Sequence, residues 1–332
     1  MIKIIATIIV STLILGSCST MNEEENYASQ SIPASQYKGQ GFQPVAEKSA
    51  IAHAKKHREE YEKLGEQFFK DNFSLNVKAT NVVGSGDGVE VYVHCDDHDI
   101  VFNASILFDK EAIHEEGSMR SNDNGDTMSD MVGTVLSGFE YRANKEKMDN
   151  LEKYLKDKED KYHYTGFTDE AITKTQNIGY QNNYFYITTS STKLRDYRKH
   201  FEPLIKESND DFRKHMKQLK SKKDTYLNTE ITTTLFSTLD EYDEKIIRKN
   251  SISMAKEIRK EPSIPHNFTF HLLFSNNKLK INDPNINNNQ INEYGVFHHD
   301  GFKINDMDIA EINGFWVYQN TKNKKFTVNG KN

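Results

Sequence analysis

The sequence predicts an α+β fold, with a helix packed on an antiparallel β-meander in the N-terminal part and mixed helices and antiparallel strands in the C-terminal part. Three observations lead there. A helical stripe of apolar residues runs through Ala50, Ala54, Tyr61, Leu64 and Phe68. Three segments with a two-residue apolar period follow it before residue 109. Beyond residue 110, helical and strand-like patterns interleave with no repeat of solenoid type.

The first 18 residues stand apart from this fold. Lys3 gives a short basic start, Ile4 to Leu15 is an uncharged apolar run of 12 residues, and Gly16 and Ser17 lead into Cys18. A helix needs about 20 apolar residues to span a bilayer core, so residues 1–17 are read as a signal peptide. Leu15-Gly16-Ser17-Cys18 resembles the lipobox of bacterial lipoproteins, which implies that Cys18 receives a diacylglyceryl group and becomes the mature N-terminus. Two acyl chains hold a protein stably where one binds reversibly. Cys18 is therefore the expected lipid attachment site, and the extracytoplasmic face of the cell membrane the expected location. Loss of residues 1–17 removes one charge, that of Lys3, and moves the net charge from -6 to -7. An acidic body gains no polybasic attraction to anionic lipid, and it has no cation excess with which to neutralise nucleic acid. Residues 18–44 are polar and poor in apolar side chains, so they are expected to form the lipidated N-terminus and a flexible tether.

From Ala46 to Asp71 the apolar stripe, with Lys55, Arg58, Glu59, Glu62 and Glu66 mainly between its members, predicts one amphipathic helix. Phe73, Leu75, Val77 and Ala79 then alternate with polar residues, a turn follows at residues 84–88, and Val89, Val91, Val93 and Cys95 alternate with Glu90, Tyr92 and His94. After a second turn at Asp96 to Asp99, Ile100, Phe102, Ala104, Ile106 and Phe108 complete a meander with one apolar face. Cys95 shares the valine face and is expected to be a small buried hydrophobe. Tyr92, Tyr184, Tyr186 and Tyr318 are expected on polar strand faces, where Tyr can pair across strands or anchor a contact.

Residues 118–126 read as a loop. The Asn-Asp-Asn-Gly-Asp run there is similar to a calcium loop, but Arg120 stands where the first acidic ligand belongs. Met128, Met131, Val132, Val135 and Phe139 predict a helix that Met148, Leu151, Tyr154 and Leu155 extend or partner. A short helix over 168–179, a strand over 183–190 and a helix capped by Ser191 or Thr192 that breaks before Pro203 come next. Residues 212–260 read as mostly helical, with a strand alternative at 231–236, and Pro262 and Pro265 end that stretch. Phe268, Phe270, Leu272 and Phe274 predict another strand. An Asn-rich connection at 282–292 precedes a strand-like region through Val296, Phe297, Phe302, Ile304, Phe315 and Val317. The expected division is 45–165 for the helix, meander and following helices, and 166–332 for a second α+β region.

Two His/Asp clusters are the candidate chemistry. His94, Asp96 and His98 surround the second meander turn, and His298 and Asp300 form a similar pair further on. Imidazole and carboxylate are metal donors, but a zinc site needs three or four of them converging tetrahedrally. Asp in a hairpin turn is ordinary, because it bonds its own backbone there. The reading is therefore no metal and no cofactor, with these five residues as the weak candidates. No G-x-S-x-G, phosphate-loop, H-E-x-x-H or Cys-x-x-Cys pattern is present.

With the signal segment, the Leu-Gly-Ser-Cys box, the helix and the run VEVYVHCDDHDIVFNASI at 89–106, the chain resembles a family of uncharacterised lipoproteins of low-GC Gram-positive bacteria, grouped as a domain of unknown function. The resemblance implies extracytoplasmic surface attachment and no established activity. The expected function is that of a lipid-anchored surface protein that binds a protein or an envelope component, with no catalytic residues assigned. The alternative is an extracytoplasmic hydrolase, metal-assisted through the His/Asp loops.

Overall fold

The computed structural model describes residues 31–222, 225, 227–240, 243–258, 260–266, 268–275 and 277–282 and, as backbone strands alone, 302–304, 307–309, 316–320 and 325–328. Its architecture is α+β. The first described segment corrects the expected tether over residues 31–44. Strand β1 (Ser31–Ile32) pairs antiparallel with Lys280 and Leu279, Ala34 and Tyr37 are fully buried, and the Tyr37 hydroxyl donates to the Ile281 carbonyl at 2.7 Å. Gln43 N donates to Asn282 O at 3.1 Å. One buried tyrosine and a few main-chain bonds bind a polar segment that composition alone reads as unstructured. This strap begins and ends against the same stretch, residues 279–282.

The expected single helix over 46–71 is two, α1 (Lys48–Lys56) and α2 (Arg58–Phe73). His57, at φ -112° and ψ 30°, leaves the helical region between them. Glu59 and Glu60 lie in the first turn of α2, where carboxylates suit the positive end of the helix dipole. The helix runs through Phe73, expected in the first strand, because Ser74 supplies a left-handed cap at φ 57°. The meander β2 (Val77–Ser85), β3 (Gly88–Cys95) and β4 (Phe102–Phe108) pairs in sequence order. Val89, Val91, Val93 and Cys95 are fully buried, as the alternation predicts.

Helix α3 (Asp126–Ala143) is followed by α4 (Lys145–Lys156), α5 (Glu159–Tyr162), β5 (Tyr164–Thr165), α6 (Asp169–Thr175) and β6 (Phe185–Thr189). Thr168 caps α6, its hydroxyl accepting from Ala171 N. Helix α7 (Leu194–His200) has Lys193 at its N-cap with no side-chain bond, so neither Ser191 nor Thr192 caps it; the Ser191 hydroxyl instead donates to Asp130. The stretch expected to be mostly helical contains α8 (Asn209–Lys220), β7 (Thr229–Thr233), β8 (Leu235–Ser237) and α9 (Glu244–Ile258). The strand alternative holds at 231–236, where β-branched threonines fill the pleat. Strands β9 (Thr269–Ser275), β10 (Leu279–Lys280), β11 (Phe302–Ile304), β12 (Met307–Ile309), β13 (Trp316–Asn320) and β14 (Lys325–Val328) complete the description. The larger sheet has the order β14-β13-β9-β7-β6, with β8 beside β9 and β5 beside β8. Only the β7–β9 and β8–β9 pairs in it are parallel. The Asn-rich connection beyond Asn282, and Val296, Phe297 and Phe315, lie outside the described residues.

Two apolar clusters form the interior, and the chain alternates between them. Buried residues from Ala54 to Phe139 and from Leu194 to Leu227 line the first. Those from Tyr141 to Ile187 and from Ile231 to Phe274 line the second. Helix α3 serves both, with Phe139 in one and Tyr141 in the other. It fits there because Gly138 lies against Val101 O, which a Cβ would meet at 2.9 Å. Gly179, at φ +101°, passes so close to Ser137 that a Cβ would meet its hydroxyl at 2.2 Å. Gly179 also exchanges both main-chain bonds with Asn103, at 2.8 and 2.9 Å, and so ties the meander to the second cluster.

Between Phe139 and Tyr141 sits Glu140, wholly inaccessible to solvent. Its Oε2 accepts from Lys220 Nζ at 2.9 Å, and Lys220 lies 4.9 Å from the centroid of the Phe268 ring. Burial pushes the Glu140 carboxyl above the ordinary carboxylate range, against the pull of Lys220. The folded chain thus holds this proton more tightly than the unfolded one. The support Glu140 gives to folding is complete below the ordinary carboxylate pKa and is lost as pH rises from there through the raised pKa of the folded chain. Glu140→Gln is expected to match or exceed the parent in urea-unfolding midpoint at neutral pH. Lys220→Ala, which strands the carboxylate, should lose about 3–5 kcal/mol. Equal losses in both variants would contradict this account.

Candidate functional site

The His/Asp turn between β3 and β4 is occupied by its own architecture. Asp97 to Asp99 form a short 3-10 turn, with His98 and Asp99 left-handed at φ 54° and 61°. Asp97 Oδ2 accepts from Asn76 N and Asn76 Nδ2, both at 2.9 Å, and Asp99 Oδ2 accepts from Asn209 Nδ2 at 3.2 Å. These carboxylates fasten the turn to the start of β2 and of α8. Asp96 and His98 are exposed. His94 precedes the turn on β3, its Nδ1 2.9 Å from Oδ1 of the buried Asn103. Among the described residues no three of His, Cys, Asp and Glu are grouped to hold a metal ion. His298 and Asp300 lie outside the described residues.

The meander's second face is a polar layer rather than the exposed surface expected for Tyr92. Helix α6 and the strap cover it. Tyr92 is 5% exposed and meets Phe42 edge-on at 5.3 Å between ring centroids. The Ser105 hydroxyl donates to Glu90 at 2.6 Å and accepts from Asn177 Nδ2 at 2.7 Å. Ser105 therefore has a carboxylate partner and no imidazole, and the ring of His94 is held by an amide, so no nucleophile–base pair forms here. Tyr184 and Tyr186 are likewise buried. The Tyr184 hydroxyl donates to Glu159 at 3.1 Å, and Tyr186 lies opposite Thr232 in the larger sheet. The side chain of Tyr318 is outside the described residues.

A cleft of about 220 Å³ opens at the outer edge of β2. The strap residues Gly41, Phe42 and Gln43 form one wall, and Ile51, Ala54 and Lys55 of α1 with Arg58 of α2 form the other. The floor is β2 from Asn81 to Gly84. Gly84 has no room for a side chain, because a Cβ would meet Ile51 N at 2.7 Å. That close approach seats α1 over the strand. At one end of the floor Asn81 Nδ2 donates to Lys174 O at 3.0 Å, and at the other Gln43 Nε2 donates to Gly84 O at 2.8 Å. The lining contains amides, aliphatic groups, one aromatic ring and two cations, but no carboxylate, imidazole, thiol or hydroxyl side chain. It can hold a ligand, and it offers no side chain suited to general acid–base or nucleophilic catalysis at neutral pH.

The sequence reading missed this cleft because it assigned one wall to the tether. Phe42, between Gly39, Gly41 and Pro44 in an otherwise polar stretch, is the signal that marks it. Cys95 plays no part in the cleft. Its thiol is fully buried, and burial pushes it up to about 12. A thiol reagent at pH 8 is expected to leave Cys95 unmodified in the native body from residue 31 onward and to label one thiol per chain after denaturation. Rapid native labelling would show that the first cluster opens at this strand.

Comparison with known proteins places the chain in a family without assigning an activity. A family profile described as a protein of unknown function, DUF1672, matches residues 24–300. The crystal structure of a DUF1672 family protein from Staphylococcus aureus subsp. aureus Mu50 is 52% identical, with a TM-score of 0.74 over 78% of this chain and 94% of that one. No curated protein matches the chain. These findings bear out the resemblance to a domain-of-unknown-function family found in low-GC Gram-positive bacteria. The chain belongs to the DUF1672 family.

Proposed function

We propose that the protein is a lipid-anchored, extracytoplasmic binding module that recognises a protein or an envelope component through the cleft beside β2. The observation that carries the reading is the cleft's lining, which combines Phe42, Ile51 and Val82 with the amides of Gln43 and Asn81 and lacks groups suited to proton transfer or nucleophilic attack. The Leu-Gly-Ser-Cys box supports the anchor. The described residues start 13 positions beyond Cys18, at Ser31. At no more than about 3.3–3.6 Å per residue, β1 would lie within about 45 Å of the lipid. The body would therefore stay near the membrane surface. No helix among the described residues is long and apolar enough to cross a membrane.

Cys18→Ser is expected to lose labelled fatty acid and to leave the membrane fraction, and retention of both would overturn the anchor. A photoreactive phenylalanine analogue in place of Ile51, irradiated on intact cells, is expected to capture a partner. No capture, beside turnover of a wall-derived substrate, would overturn the binding role.

A further inference from the structure

The cleft is built on the outer edge of a strand, where side-chain amides hold main-chain groups that an arriving chain would take over: Gln43 Nε2 donates to Gly84 O at 2.8 Å, and Val82 N donates to Asn81 Oδ1 at 3.0 Å. In the three-stranded sheet β2 is terminal, and among the described residues no strand lies along its outer edge from Asn81 to Ser85. This edge is already used for pairing just beyond the cleft. Ala46 forms an isolated parallel bridge with Gly86, in which Gly86 N donates to Val45 O at 2.9 Å and Glu47 N donates to Gly86 O at 2.8 Å. Upstream of Val45 the strap leaves the edge and crosses to the polar face, where Phe42 meets Tyr92. The place it vacates is the cleft. On the opposite face α1 stands over the same edge.

A strand edge between two walls, with no neighbouring strand along it, accepts an extended chain, whose main-chain groups bond to the edge while alternate side chains point to either wall. One wall here carries the only charged lining residues, Lys55 and Arg58, both exposed, in a chain whose net charge is -6. Both cations are already engaged: Lys55 has a partner of its own, and Arg58 Nε donates to Glu62 at 2.8 Å, a surface pair of the kind worth about 0–1 kcal/mol, so an arriving carboxylate has to share or replace these interactions. The other wall offers Phe42 and the Gln43 amide.

We infer that the cleft binds a partner protein's extended, acidic peptide segment, added as a strand to the outer edge of β2 with a carboxylate against Lys55 and Arg58. The inference rests on the cleft being the recognition site proposed above and names what it recognises. Main-chain bonding along the edge would supply affinity independent of sequence. The cation pair would select glutamate or aspartate over glutamine or asparagine at the position facing α1.

The test uses a blocked five-residue peptide of alternating valine and glutamate, its valine–glutamine counterpart, and the first peptide N-methylated at its centre. Fluorescence anisotropy measures affinity for the mature protein, and amide hydrogen exchange at residues 81–84 reports location. The acidic peptide is expected to bind and to protect that stretch. Glutamine substitution, N-methylation and the double charge reversal Lys55→Glu/Arg58→Glu should each weaken binding at least tenfold, while circular dichroism of the variant stays unchanged. Equal affinity of the glutamine peptide, indifference to N-methylation, or no saturable binding at about millimolar peptide overturns the inference. On intact cells, capture from position 51 of a glycan or other non-peptidic component would overturn the ligand class while leaving the binding module standing. An internal crosslink to the chain's own acidic run Glu23-Glu24-Glu25 would replace the partner by an intramolecular occupant and overturn it equally.

Discussion

A carboxylate sealed at the boundary of two apolar clusters is the constraint around which the fold is arranged. Among the described residues Glu140 belongs to the one helix that contributes to both clusters, and its cation comes from the last turn of α8. A buried ion pair adds little net stability, because desolvation offsets most of the attraction, but an arrangement that separates the partners leaves an uncompensated charge. The pair therefore acts mainly against wrong packings of α8 on α3. Arg142, two residues on, works in the same direction. Its guanidinium donates to Ile205 O at 2.8 Å, Glu207 O at 2.7 Å and Asn209 Oδ1 at 3.0 Å, and lies 4.1 Å from the centroid of the Phe212 ring. Charges on α3 thus draw α7 and α8 back to the first cluster after the chain has begun the second.

Much of the secondary structure was legible because burial imposes a period. The face shared by Val89, Val91, Val93 and Cys95, the stripe at Val132, Val135 and Phe139, and the alternation at Phe268 to Phe274 each direct apolar side chains at the element's own period into one of the two clusters. Boundaries set by single dihedrals were not legible. Nothing in the type of His57 marks a break between α1 and α2, and serine is not a usual left-handed cap, so Ser74 concealed the end of α2. The buried tyrosines misled for a related reason. Tyr92 and Tyr186 alternate correctly on their strands, but a second layer covers the face they occupy, and layers are a property of tertiary packing.

The candidate site was less legible than the fold. The His/Asp turn attracted notice by composition, yet its acids serve Asn76 and Asn209, residues 21 and 110 positions away. The cleft drew no notice because its walls come from segments of opposite character, a polar strap and an amphipathic helix, joined by the missing side chain of Gly84. Neither wall is diagnostic alone. Their conjunction depends on where β2 ends the sheet, and strand order is set by long-range pairing that no local pattern records.

The strap reaches across the chain as well as across the fold. Ala34 N bonds to Asn277 Oδ1 at a separation of 243 residues, and the Tyr37 hydroxyl to Ile281 O at 244. Contacts so remote close a very large loop, and they form only after that loop's entropy has been surrendered. The meander and the helices on either side of it are complete by residue 143, but the wall beside β2 is held by residues 277–282, made long afterwards. The cleft is thus the last part of the N-terminal half to be set, and a chain cut short before residue 277 would lose the clasp that forms one of its walls.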